Sequence, residues 1–191
     1  MAQTLNRSLT DLGALLHLVD PTLPIGGFNH SNGLETFVQQ RVVESKATLE
    51  EYVQTQLLQN WIYNDGAYLS LAFDAMCEGN FDRLCELDWQ LSATKVARES
   101  REGSFKLGVR LLKIFIRYET HTLLTDYQQA IAEKRVQGYS PIVFAMVAQA
   151  MGLTKADTLY AFYYNAAVGA ITNGVRLIPL SQLGGQDRRF A

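Results

Sequence analysis

Three histidines, two cysteines and one short run of paired charges are what this chain offers to bond-making chemistry. His17, His30 and His121 stand far apart. None has a His, Cys or carboxylate at i±4, the spacing that sets two metal ligands on one helical face. Cys77 and Cys85 would lie about 12 Å apart on one continuous helix, beyond disulfide reach. A turn at Gly79-Asn80 is expected between them, and two such cysteines without a secretory leader predict free thiols in a reducing cytoplasm. The phosphate-cradling pattern G-x-x-x-x-G-K-[ST] does not occur; Gly103-Ser104-Phe105-Lys106-Leu107-Gly108 holds its letters in the wrong order. Neither a G-x-S-x-G elbow nor H-E-x-x-H is present. The expectation is no catalytic residue, no bound cofactor and no resident metal.

Three other clusters suit recognition. Residues 21–35 place Pro21, Pro24, Gly26, Gly27 and Gly33 around Phe28, Asn29, His30, Ser31, Asn32 and Glu35. Proline fixes φ and glycine permits positive φ, so the run holds one backbone path and presents a dense polar and aromatic surface. The plainer reading, a corner between two helices, explains the prolines and glycines but not that density. The second cluster is Arg98-Glu99-Ser100-Arg101-Glu102-Gly103-Ser104, followed by Gly108. Arg98, Arg101 and Glu102 share one helical turn and can pair. They serve either a partner or an exposed charged turn, while the two glycines, each costing about 1 kcal/mol in a helix, predict a close crossing. The third runs from Tyr160 to Gln186: Tyr160, Phe162, Tyr163 and Tyr164 beside Ala166, Ala167, Gly169 and Ala170, then Arg176, Gln182 and Gln186. Aromatic and small side chains together suit a helix–helix seam, within the domain or between two copies.

Helices must position these clusters. Leu12, Leu15, Leu16 and Val19 form an apolar stripe on a helix over 9–19, ending before Pro21. Ser31 can cap a short helix bearing Leu34, Phe37 and Val38. Thr48 and Glu51 read as a capping box opening a helix over 49–76, in which Gly66 is a tolerated weak point. Asn80 caps 81–94. Further helices are predicted over 96–119, with Leu107, Leu111, Ile114, Phe115 and Tyr118 on the apolar side, and over 122–135, ended by Gly138. Ser140 as N-cap with Pro141 opens 142–151, and Thr154 opens 155–177. No alternating strand pattern occurs, so the fold class is all-α: one domain over 1–191, a bundle of about eight helices. With 48% apolar residues it can bury a sizeable core. Seventeen basic and nineteen acidic side chains leave a net charge of −2. That balance points to neither nucleic acid nor an anionic membrane surface, and the longest apolar stretch is too short to span a bilayer.

Taken in order, the three clusters resemble the signatures of the urease accessory protein UreF family. Residues 23–35, Leu-Pro-Ile-Gly-Gly-Phe-Asn-His-Ser-Asn-Gly-Leu-Glu, resemble its L-P-x-G-[GSA]-[FY]-x-x-S-x-G-L-E pattern. Residues 98–108 resemble R-E-x-R-x-[AG]-S-x-x-x-G, and residues 179–186 resemble P-L-[SG]-Q-x-x-[GA]-Q. The resemblance implies a non-enzymatic helical homodimer of the urease maturation machinery. Such a protein joins UreD (also called UreH), recruits the GTPase UreG to apo-urease for nickel insertion, and gates its GTPase cycle. Nickel is relayed within that complex rather than stored. Pro24, Gly26, Phe28, His30, Ser31, Glu35, Arg176, Gln182 and Gln186 match family positions implicated in partner contacts. Tyr160 and Tyr164 match a helix associated with dimerisation or assembly. Phe28 stands where other members carry tyrosine. Family members usually continue past the G-Q motif with a further helix and a tail that engages UreD; this sequence ends at Ala191. Two other readings remain open: a helical enzyme binding an anionic substrate near Arg98 and Arg101, with His30 and Glu35 close by, and a generic dimeric scaffold.

Overall fold

Residues 141–148 carry only apolar side chains, and a helix apolar on every side belongs at the centre of a bundle. In the computed structural model, which describes residues 9–26 and 33–178, all eight are buried. They belong to α8 (Ser140–Ala150). Before it come α1 (Leu9–Leu18), α2 (Leu34–Gln39), α3 (Lys46–Thr55), a π-helical segment (Gln56–Gly66), α4 (Ala67–Cys77), α5 (Phe81–Thr94), α6 (Arg98–Phe115) and α7 (Thr122–Ala132). After it comes α9 (Lys155–Leu177). Because α3, the π segment and α4 follow without a break, the described residues form eight rods, and the all-α expectation holds.

α4 and α6 flank α8 most extensively, with α9 and α5 completing its surroundings. The main core draws Leu15 and Leu18 from α1, Leu69, Phe73 and Met76 from α4, Leu84, Leu87 and Leu91 from α5, Leu111, Leu112 and Phe115 from α6, and Leu124 and Tyr127 from α7. A second cluster, Leu34, Val43, Leu49, Tyr52 and Ile178, joins α2 and α3 to the end of α9. α9 runs antiparallel to the α3–π–α4 rod. Lys155 pairs with Asp74 at 2.7 Å, Tyr163 abuts Gly66, and Gly174 faces Leu49.

Several local expectations shift. Ser45, not Thr48, caps α3; Thr48 is the N3 partner, its hydroxyl accepting from the Ser45 amide at 3.0 Å. Tyr139, not Ser140, is the residue before α8, with Pro141 in its first turn. α2 starts after Gly33, and Ser31 lies outside the described residues. The α1 stripe is rotated: Leu15 and Leu18 are buried, whereas Leu12 and Leu16 are 40% and 59% exposed. α6 and α7 are shorter than predicted, and Tyr118 faces solvent. Beyond the end of α7 the chain turns at Lys134, in the left-handed region with φ 60°, before Gly138 is reached. The predicted 49–76 helix is longer at both ends and winds wide in its middle. Asn80 and Thr154 cap as expected, accepting from Arg83 N at 3.0 Å and Asp157 N at 3.1 Å.

Gly66 proves to be a contact point. A Cβ there would meet the Tyr163 hydroxyl, with Tyr163 Cζ at 2.7 Å and the Trp61 carbonyl at 2.9 Å. The predicted close crossing in α6 falls at Gly108. A Cβ there would strike the Gly138 carbonyl, with Ser140 N and Tyr139 C both at 2.9 Å.

Candidate functional site

The first half of the Pro/Gly loop is built from its own short-range bonds. Asp20 Oδ1 accepts from the Thr22 amide and hydroxyl, both at 2.7 Å, which holds its carboxyl below the usual range. The Leu23 amide donates to the Asp20 carbonyl at 3.2 Å, and Pro24 is exposed beyond it. Gly26 sits at φ +79° directly against the Arg110 guanidinium, whose Nη1 donates to the Ile25 carbonyl at 3.0 Å. A side chain at Gly26 would meet both an unfavourable φ and that guanidinium. Phe28, His30, Ser31, Gln182 and Gln186 lie outside the described residues. Glu35 is exposed in the first turn of α2, where a negative charge suits the helix dipole.

Arg98 and Glu102 pair as expected, Nε to Oε1 at 2.7 Å, and Lys106 reaches the other carboxylate oxygen at 3.2 Å. The hydrogen bond from Arg98, then that from Lys106, holds the Glu102 carboxyl below its usual range. Arg101 does not join them. Its Nη1 donates to the carbonyls of Lys95 at 2.7 Å and Val96 at 2.5 Å, so it ties down the α5–α6 connection. Lys95 itself pairs with Asp65 of the π segment at 2.7 Å, both side chains largely buried. The described part of the loop meets α6 at Arg110, about 18 Å along the axis from Arg98 at a rise of about 1.5 Å per residue. His30, on which the enzyme reading also depended, lies outside the described residues.

The aromatic group of α9 divides. Phe162 stacks edge-on to Phe144 at 5.4 Å and belongs to the core margin. Tyr163 packs on Gly66, where burial and then Asp65 raise its phenol pKa. Tyr160 and Tyr164 lie parallel at 6.3 Å, with Tyr160 66% exposed. Arg176 is exposed in the last turn of the same helix. Among the described residues no three His, Cys, Asp or Glu side chains converge as metal ligands, and no helix is long and apolar enough to cross a membrane.

Against this geometry the comparisons are specific. The UreF family model matches residues 43–189. A urease accessory protein UreF from Haemophilus influenzae (strain 86-028NP) is 96% identical over 190 residues, covering all of this chain and 81% of its own length. The chain belongs to the UreF family. Another UreF, from Actinobacillus pleuropneumoniae serotype 5b (strain L20), is 79% identical over 180 residues, 94% of this chain and 79% of that protein. UreF of Lachnoclostridium phytofermentans is still 35% identical over 173 residues, 91% of this chain and 76% of that protein.

Two structurally decisive residues gave no sign in the sequence. Arg110 reads as an ordinary cation on a solvated helix face, and its carbonyl partner is 85 positions away. Asp88 reads as one acid among many. It is 1% exposed and receives Tyr127 Oη at 2.7 Å and the amides of Gln137, Gly138 and Tyr139 at 2.7, 2.9 and 3.1 Å. It thereby shapes the turn on which Gly108 packs.

Proposed function

We propose that this chain is an adaptor of urease maturation that breaks no bonds itself. It acts in the cytoplasm with UreD (UreH), recruits the GTPase UreG to apo-urease and gates its GTPase cycle while nickel passes to the urease active site. Family membership is the observation that carries the reading. Among the described residues, the backbone contacts of two arginines support it. Arg101 is occupied by two carbonyls, and Arg110 braces the Pro/Gly loop. Pro24, Gly26, Glu35, Arg98, Arg101 and Arg176, with Phe28, His30, Ser31, Gln182 and Gln186, are the proposed partner contacts. Nickel is cargo of the assembled complex, not a resident ion.

The test is reconstitution. The chain is purified with UreD and UreG, and urease activation is measured with nickel and GTP. A stable three-protein complex and nickel-dependent activation that vanishes without this chain are expected. Activation of equal extent without it, or no complex at any ratio of components, would remove the adaptor reading. Replacing Gln182 and Gln186 by alanine is expected to weaken UreG recruitment at least tenfold with circular dichroism unchanged; intact recruitment would exclude those two positions.

A further inference from the structure

The near-neutral net charge conceals one strongly polarised surface. At about 100° per residue, Lys106, Arg110, Lys113 and Arg117 fall within about 60° of one another around the α6 axis. Lys106, Arg110 and Lys113 stand on the helix and Arg117 in the turn that continues it, and all four are exposed. Only Lys106 has an ionic partner among the described residues, Glu102 at 3.2 Å. The attraction of cations to a helix C-terminus accounts for Lys113 and its neighbour Arg117. It does not account for Lys106 and Arg110, which lie further back. Arg110 also clamps the Ile25 carbonyl and abuts Gly26, so the ridge and the first half of the Pro/Gly loop form one continuous surface.

We propose that this ridge is an electrostatic docking surface for an acidic face of a partner protein in the maturation complex; the inference rests on the adaptor reading. A complementary surface would present carboxylates over about 16 Å, the length of eleven residues of helix at about 1.5 Å each. Four cations in a single row, on a chain of net charge −2, suit a short acidic protein element. At net charge −2 the chain lacks the overall basic excess that draws a protein to nucleic acid. Exposed charges of this kind act chiefly on encounter rate, and their effect is screened by salt.

The experiment compares wild type with Lys113→Glu/Arg117→Glu, two exposed positions with no ionic partner among the described residues. The control is Arg41→Glu/Lys134→Glu, the same charge change at exposed positions on other elements. Association with purified UreD, UreG and apo-urease is followed at about 50 and about 500 mM salt, a range over which exposed charges pass from weakly to strongly screened, with thermal melts to verify folding. The ridge variant is expected to associate with one of these proteins at least tenfold more slowly at low salt. The gap should close at high salt, with the control within about twofold of wild type. Equal association of ridge variant and wild type, or equal weakening by the control, overturns the proposal. So does wild-type binding to duplex DNA or phosphatidylglycerol vesicles that the ridge variant alone loses while its protein association is unchanged. If the ridge variant melts early, Lys113→Gln/Arg117→Gln replaces it under the same criteria. Absence of any wild-type complex would instead defeat the adaptor reading, and this inference with it.

Discussion

Asp88 uses its charge to organise backbone. Its two oxygens receive three amides and one phenol from residues 39 to 51 positions later. Buried donors deprived of an acceptor cost about 1–3 kcal/mol each. Asp88→Asn keeps the shape but turns an acceptor into a donor, so a loss of about 2–4 kcal/mol is expected in urea denaturation. Tyr127→Phe removes one bond and should cost about 1 kcal/mol. The pair also sets an alkaline limit. Burial first, then the Asp88 charge and hydrogen bond, push the Tyr127 phenol well above its ordinary value of 10.0. A group whose pKa is raised on folding contributes stability that is whole below the unfolded value and is lost as pH climbs above it. Wild-type stability should therefore fall as pH rises past about 10, and Tyr127→Phe should flatten that limb. Equal slopes in the two proteins would dissociate Tyr127 from the alkaline transition.

At the scale of elements, close approach decides more than propensity does. Gly108 lets α6 lie against the backbone that leads into α8, and nothing there is a flexible side-chain end able to swing aside. Overpacking costs about 1–3 kcal/mol, while alanine recovers about 1 kcal/mol of helix propensity. With backbone as the obstacle the upper end applies, so Gly108→Ala should lose about 2 kcal/mol, read as a lower urea midpoint. An unchanged midpoint would mean that α6 can step away from α8. The glycine spacing in the sequence did announce a crossing here, though not which element would be crossed. Capping was legible where one side chain and the first turn decide it, at Asn80 and Thr154. At the start of α3 the expected cap, Thr48, gave way to Ser45. Either residue can play the capping part; here Ser45 takes it, with Thr48 as its N3 partner. The wide winding over Gln56–Gly66 had no local signal. It is accompanied by contacts made from elsewhere, Tyr163 on Gly66 and Lys95 on Asp65.

For the molecule as a whole, the outward aromatic pair of α9 bears on assembly. Tyr160 and Tyr164 stand stacked with Tyr160 largely in water, the kind of amphipathic surface enriched in interfaces. The expected state is a homodimer with twice the protomer mass by light scattering at micromolar concentration. Tyr160→Glu should shift it to the protomer mass without altering the melt. A wild-type protein at protomer mass would refute the dimer; a dimer indifferent to the substitution would move the interface elsewhere. Helix content, the caps at Asn80 and Thr154, and family membership were readable along the chain, since periodicity, capping and motif letters act over a few neighbouring residues. Which face of α1 is buried, what Arg110 holds, and the role of Asp88 were not. Those depend on partners up to 85 positions away, brought near only when the rods pack around α8.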